Sequence, residues 1–248
     1  MQFIFLCILI FLPNLLFAQT IQFSSPVEQA TLLELYTSEG CSSCPPADRW
    51  LAKLKQDKRL WTQLVPVAFH VDYWNYLGWQ DDYAKPQFTQ RQQFYARLGY
   101  ARNVYTPGFF LNGREWRGFF SRRNITQQQG KSVGQLKLEI TGDTISTSFM
   151  PIGSEDKPLK LNIALLGLDI HSNVKAGENR GKILEHNFVV LRYKNITASK
   201  DGDNYFGSVR NFDISRYQVK NFAIAAWVTR DDDPTPIQAT GGWLNAVN

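Results

Sequence analysis

The chain has 248 residues, of which 44% are hydrophobic and 20% are charged, and its formal net charge is +5. These values are ordinary for a globular protein with a sizeable core, so a disordered chain is not expected. The basic residues form no long run and accompany no nucleic-acid-binding motif, so we expect no nucleic-acid partner.

Residues 1–18, MQFIFLCILIFLPNLLFA, form an apolar segment that Pro13 and Asn14 interrupt. The segment is too short for a comfortable membrane span and is typical of a secretory signal peptide cut near Ala18. We therefore expect a secreted or periplasmic protein without a stable membrane span after cleavage. The alternative is an uncleaved N-terminal anchor, which also places the rest of the chain outside the cytoplasm.

Cleavage would remove Cys7 and leave Cys41 and Cys44 as the cysteines of the mature chain. Thiols outside the cytoplasm tend to be oxidised, so a disulfide is expected between them. Because the loop that this disulfide closes is very short, it constrains little of the unfolded chain. The pair therefore favours redox chemistry over stabilisation.

The first half of the mature chain predicts alternating strands and helices. Asn112-Gly113 is a strong hairpin signal between two of the strands. Strands are predicted over 31–36, 64–71, 108–112 and 115–120, and helices from Pro45 onward, over 81–98 and over 122–133.

From residue 135 onward, short apolar or alternating segments are separated by turns, which is typical of an antiparallel sandwich-like module. The strands are predicted over 136–140, 144–150, 159–171, 183–193 and 222–230. The expected organisation is an α/β domain over residues 27–134 followed by a β-rich domain over 135–248. The segment 177–181, GENRG, lacks the Gly-Lys-Ser/Thr ending of a phosphate-binding loop and is interpreted as a hairpin loop.

The position of a Cys-x-x-Cys pair between a strand and a helix favours redox chemistry, because a helix N-terminus stabilises the reactive thiolate. Cys41 is expected to be the exposed, attacking sulfur, and Cys44 the buried sulfur that resolves the mixed disulfide. The hydroxyls of Ser42 and Ser43 could stabilise a thiolate, whereas the nearby Glu39 should oppose it. The residues therefore leave open whether the pair acts as reductant, oxidant or isomerase.

Thr106-Pro107 precedes the apolar strand predicted over 108–112. In thioredoxin-like folds a cis proline begins such a strand and faces the Cys-x-x-Cys pair, and an X-Pro bond is the common place for a cis peptide. We therefore predict a cis Pro107, with Thr106 offering backbone groups to an incoming peptide. Trp74 is a candidate for the wall of a substrate groove, with core packing as the alternative.

Four segments carry a resemblance to a known family. The chain resembles the exported bacterial proteins of domain-of-unknown-function family 1223, and the resemblance covers nearly the whole mature chain. It implies a thioredoxin-like domain followed by a β-rich, sandwich-like domain, and it supplies no reaction. The segments are LLELYTSEGCSSCPPAD at 32–48, FHVDYWNYLGWQDDYAKPQFTQRQQFYA at 69–96, TPGFFLNG at 106–113 and GENRGKILEHNFVV at 177–190.

The chain departs from thioredoxin itself at two positions. Gly40, rather than a tryptophan, precedes Cys41, and the nearest comparable acid, Glu34, lies seven residues before Cys41 instead of six. A one-residue shift moves a strand side chain to the other face. Glu34 is therefore a proton acceptor for Cys44 only if the intervening loop absorbs one residue, and the alternative is an exposed charge.

The histidines show no paired spacing, so we expect no metal site and no cofactor. His70 could point toward the cysteines, whereas Glu185 and His186 are interpreted as structural residues far from them. We expect a thiol–disulfide oxidoreductase that acts on protein thiols or disulfides outside the cytoplasm. The alternative is a non-catalytic binding module whose two cysteines hold Cu(I) or an inert disulfide.

Overall fold

A computed structural model describes residues 20–125 and 130–244, so the signal peptide expected over 1–18 lies outside the described residues. Of the described residues, 44% lie in strands and 14% in helices. Within these ranges, no helix has the length and apolar character that crossing a membrane requires.

The described residues contain fifteen strands and two α-helices, with short 3-10 turns at Lys53–Gln56, Asn75–Leu77 and Ile214–Arg216. The elements are β1 (Thr20–Ser24), β2 (Thr31–Thr37), α1 (Pro45–Ala52), β3 (Leu64–His70), α2 (Pro86–Arg97), β4 (Gly108–Leu111), β5 (Arg114–Glu115), β6 (Gly134–Thr141), β7 (Thr144–Pro151), β8 (Leu159–Leu168), β9 (Ile170–Asn173), β10 (Ile183–His186), β11 (Val189–Thr197), β12 (Ser199–Asp201), β13 (Asn204–Arg210), β14 (Asn221–Arg230) and β15 (Gln238–Trp243).

An eight-stranded sheet runs through the middle of the molecule in the order β15-β14-β8-β11-β3-β2-β4-β5. β2 lies between β3, which is parallel to it, and β4, which is antiparallel to it. β11 joins the edge of β3 in parallel, where Val189 stands opposite Ala68. The amide of Ala68 donates to the carbonyl of Phe188 at 2.8 Å, so strands from both halves of the chain share one sheet.

The expected fold class, an α/β thioredoxin-like domain followed by a β-rich domain, is wrong. The described chain is mostly β, with three sheets and two α-helices. The sheet that contains β2, β3 and β4 continues into β11, β8, β14 and β15. One face of this sheet packs on α1 and α2, and the opposite face packs on the strands of another sheet. The division of the chain at residue 134 stays a prediction.

The two faces of the eight-stranded sheet bury different partners because side chains alternate along a strand. Ala164 and Leu166 of β8 pack in the cluster that contains α1 and α2. Ile163 and Leu165 pack in a second cluster with the five-stranded sheet β1-β6-β7-β13-β12. Because both faces are covered, β8 is apolar along nearly its whole length.

Local predictions held for most strands and failed for some boundaries, since the strands predicted over 159–171 and 183–193 are each two strands in the structure. The hairpin at Asn112-Gly113 is confirmed, with φ of 45° and 77° at these residues, although the return strand β5 is shorter than expected. α2 begins at Pro86 instead of residue 81, because proline is well placed in the first turn of a helix. The helix predicted over 122–133 is wrong in the part that the structure describes, since residues 122–125 and 130–133 are not helical.

Candidate redox site

Cys41 and Cys44 lie between the end of β2 and the start of α1, as the sequence predicts. They form a disulfide with a Cα–Cα distance of 5.4 Å. Cys44 is the residue that precedes the first helical position, Pro45. The pair therefore lies where the partial positive charge of the helix N-terminus favours a thiolate.

Both cysteines are fully buried, so the expectation of an exposed Cys41 is wrong. Ser42 and Ser43 between them are exposed. The sulfur of Cys41 lies 3.4 Å from the hydroxyl of Ser43. A partner molecule would therefore meet the two serines first, and attack on Cys41 requires a local movement of this loop.

Trp74, Thr106 and Pro107 lie together beside the disulfide loop. The Thr106-Pro107 peptide bond is cis, as predicted. The indole Nε1 of Trp74 donates to Oγ1 of Thr106 at 2.7 Å. A Cβ at Gly40 would lie 2.9 Å from Cβ of Trp74, so the absence of a side chain lets Trp74 pack against Gly40, the residue before Cys41.

Glu34 is fully buried on β2, so the alternative of an exposed charge is wrong. Its carboxylate accepts hydrogen bonds from the hydroxyls of Tyr36 at 2.9 Å and Tyr95 at 2.6 Å. The guanidinium of Arg91 donates to both oxygens at 2.7 and 3.1 Å. These partners favour a structural role for Glu34, and its action as a proton acceptor for Cys44 stays a prediction.

The loop at 177–181 connects β9 to β10 as a hairpin, as expected. No pattern in the sequence indicates that this loop contacts the disulfide loop. Nδ2 of Asn179 donates to the carbonyls of Glu39 at 2.8 Å and Cys41 at 2.9 Å. Oε2 of Glu178 accepts from the amide of Ser42 at 3.0 Å, and hydrogen bonding to Ser42 keeps the pKa of this carboxyl below its ordinary value.

His186, at the end of β10, lies between two carboxylates that flank the cysteines in sequence. Its Nε2 is 3.4 Å from Oε1 of Glu39, and its Nδ1 is 3.6 Å from Oδ2 of Asp48. All three side chains are buried. The interpretation of His186 as a residue far from the cysteines is wrong, because the hairpin β9–β10 folds back onto the start of α1.

The charges in this cluster stabilise one another. Burial opposes protonation of His186, but the carboxylates of Asp48 and Glu39 outweigh it and raise the pKa of His186 to about 10. Burial likewise opposes ionisation of Glu39, and the interaction with His186 nevertheless lowers the pKa of Glu39. At neutral pH His186 is therefore a buried cation between the carboxyl groups of Glu39 and Asp48.

His70 does not contact the cysteines in the way that the sequence suggested. Its Nδ1 lies 2.8 Å from Oδ2 of Asp81, and the same oxygen accepts from the amide of Glu39 at 2.9 Å. Burial opposes ionisation of Asp81, and the interactions with His70 more than offset it, so the pKa of Asp81 is lowered. Trp79 completes the environment of Glu39 by donating from Nε1 to Oε2 at 2.6 Å.

Among residues 20–125 and 130–244, no group of three or more His, Cys, Asp or Glu side chains is arranged to hold a metal ion. The arrangement can instead support thiol chemistry. It combines a Cys-x-x-Cys disulfide at a helix start, a wall made by Trp74 and Thr106, and a buried acid–histidine–acid cluster that flanks the pair.

Comparisons with known proteins give a family and two similar structures. The model of the family described as "Protein of unknown function (DUF1223)" matches residues 32–228. The crystal structure of protein AGR_C_4864 from Agrobacterium tumefaciens is similar at a TM-score of 0.64 and 26% identity, over 89% of this chain and 97% of that one. HBP35 of Porphyromonas gingivalis is similar in fold at a TM-score of 0.60 and 18% identity, over 88% of this chain and 76% of that one. No curated protein matches the chain.

Proposed function

The chain belongs to the DUF1223 family, and we propose that it is a thiol–disulfide oxidoreductase that acts through Cys41 and Cys44 outside the cytoplasm. The observation that carries this proposal is the disulfide at the first turn of α1, with Trp74 and Thr106 beside it. The segment at 1–18 predicts export, which supports a location outside the cytoplasm.

The exchange balances as a two-electron transfer between dithiol and disulfide. A thiolate of a substrate protein attacks the sulfur of Cys41, and the Cys41–Cys44 bond breaks, leaving Cys44 as the thiolate. A second substrate thiolate then attacks the substrate sulfur of the mixed disulfide and releases Cys41. The substrate is oxidised and the pair is reduced, and the reverse sequence reduces a substrate disulfide.

Trp74 and Thr106 supply the surface that would hold the substrate chain. Trp74 is half-buried and fixed by its hydrogen bond to Thr106, so it offers a rigid aromatic face close to Gly40. The backbone at Thr106 leads directly into β4, which pairs with the end of β2 that precedes the cysteines. A peptide that adds to this backbone would bring its own cysteine near Cys41.

The experiment that tests the proposal compares the parent with Cys41→Ser in the oxidation and reduction of a two-cysteine model peptide. We expect the substitution to abolish exchange, whereas Ser42→Ala, a change at the exposed neighbour, should retain most of it. Exchange by Cys41→Ser at the parent's rate would refute the proposal. Fractionation of cells that express the full chain tests its location.

A second candidate function is favoured by the complete burial of both cysteines. In that case the pair is an inert disulfide, or a Cu(I) site when reduced, in a binding module that catalyses no exchange. It predicts a disulfide that resists mild reductants, or uptake of one Cu(I) per reduced chain in competition with a coloured chelator. A parent protein that exchanges rapidly and binds no Cu(I) would exclude it.

A further inference from the structure

His186, in the second half of the chain, lies close to two carboxylates that stand on either side of the cysteines in the sequence. Glu39 stands two residues before Cys41, and Asp48 stands on α1, four residues after Cys44. His186 contacts both of these carboxylates at 3.4 and 3.6 Å. One imidazole thus compensates two negative charges at the place where reduction would create a third.

The ring of His186 makes no hydrogen bond to the described protein residues. Both of its nitrogens are buried and have no partner in hydrogen-bonding geometry, and the same is true of Oε1 of Glu39 and Oδ2 of Asp48. A buried polar atom without a hydrogen bond is costly, so a cluster of them at one place indicates more than packing. The attraction between the charges holds the three groups together.

Two further titratable side chains face the ring of His186. The ring of His70, on β3, is 4.9 Å away, edge to face, and its own Nδ1 is paired with Asp81. The ring of Tyr83 lies 6.5 Å from that of His186. Asp81 itself also interacts electrostatically with His186 and Glu39.

We propose that His186 is a positioning residue of the Cys41–Cys44 pair, which sets the ease of reducing the disulfide by compensating Glu39 and Asp48. This inference rests on the proposed function, and it names a residue that influences whether the pair acts as oxidant or reductant. Reduction adds two electrons, and at least one sulfur then carries negative charge until it takes up a proton. A cation beside the two carboxylates lowers the free energy of that thiolate, because charges interact strongly in a buried site.

The proposal gives opposite signs for two substitutions. His186→Gln removes the cation and leaves Glu39 and Asp48 uncompensated, so the disulfide should become about tenfold harder to reduce, which corresponds to a potential about 30 mV more negative. Asp48→Asn removes one anion and keeps the cation, so reduction should become several-fold easier. The pKa of the Cys41 thiol should rise in the first variant and fall in the second, by about one unit at most.

The test measures the fraction of reduced pair in glutathione buffers, together with the rate of Cys41 alkylation against pH. The matched control is His171→Gln, since His171 is an exposed histidine of the same hairpin, and its potential should equal that of the parent. Loss of stability alone would not move the two variants in opposite directions. If His186→Gln does not fold, as judged by circular dichroism, the test is the reduction potential of Asp48→Asn compared with that of His171→Gln.

Equal potentials in all variants, or shifts of the same sign in His186→Gln and Asp48→Asn, would overturn the inference. The potential is measured against glutathione and needs no protein substrate. If the potentials shift as expected but no model peptide is oxidised or reduced, the proposed function fails and the role of His186 stands.

Discussion

The side-chain amide of Asn179 donates a hydrogen bond of 2.9 Å to the carbonyl oxygen of Cys41, 138 residues earlier in the chain. Its second hydrogen bond, of 2.8 Å, goes to the carbonyl of Glu39. The oxygen of the same amide accepts from Nζ of Lys182 at 2.9 Å. Asn179 is fully buried and therefore fixes the backbone on which Cys41 stands.

Asn179→Ala should destabilise the protein, because the carbonyl of Glu39 loses its side-chain donor, at a cost of about 1–3 kcal/mol for a buried group. The carbonyl of Cys41 also loses this donor but keeps the amide of Cys44. The free energy of unfolding of the oxidised protein should fall by about 1–3 kcal/mol in urea titrations, on the same basis. Reduction by dithiothreitol should also become faster, since the Cys41 loop opens more often. Asn103→Ala, at an exposed asparagine, is the control. Unchanged stability and reduction rate in Asn179→Ala would contradict this account.

The stability of the oxidised protein should fall between pH about 6.5 and about 10 through His186. Burial opposes protonation of His186, but the interactions with Asp48 and Glu39 outweigh burial and raise its pKa from the ordinary 6.5 to about 10 in the folded state. A raised pKa contributes stability that is complete below the unfolded value and is lost as the pH passes through the folded value. Urea unfolding of parent and His186→Gln across this range should give a difference that shrinks as the pH rises. A constant difference would show that the charge of His186 contributes nothing.

Gly40→Ala should disturb the packing of Trp74, because the new Cβ would lie 2.9 Å from Cβ and 3.3 Å from the carbonyl oxygen of Trp74. Overpacking of this kind costs about 1–3 kcal/mol. The cost should be smaller when Trp74→Gly is present as well, since glycine lacks the Cβ with which the new methyl group clashes. A double-mutant cycle in urea unfolding measures this coupling, and purely additive effects would argue against the contact.

Glu34→Gln tests whether this carboxylate serves Arg91 or the cysteines. It leaves the nearly buried guanidinium of Arg91 without its counter-charge, so stability should fall by about 3–5 kcal/mol. The pH dependence of Cys41 alkylation should stay that of the parent. Tyr95→Phe, which removes one hydrogen bond to Glu34, should destabilise less. A shifted alkylation profile in Glu34→Gln would restore its assignment as a proton acceptor.

Local patterns predicted the part of the site that lies within a short stretch of chain. The apolar run of β2, the cysteine pair and the proline at the start of α1 are adjacent in sequence, so their order specifies a strand, a turn and a helix. Thr106-Pro107 was predicted as cis from its position before β4, and the structure confirms it.

The second half of the site could not be predicted in this way. His186 and Asn179 reach the cysteines because β11 pairs with β3, and a pairing between distant strands leaves no periodicity in either segment. The fold class was wrong for the same reason. The apolar run of β8 indicates burial on both faces, but it does not say which strands or helices cover them.

The sharing of one sheet by both halves has a consequence for the order of events during synthesis. Residues 20–125 leave the ribosome with Cys41 and Cys44 before Asn179 and His186 have been made. An unfinished chain therefore carries two thiols without the amide and the cation that surround them in the folded protein. The hydrogen bonds of Asn179 and the charge of His186 reach the disulfide loop only in a chain that has been made through β10.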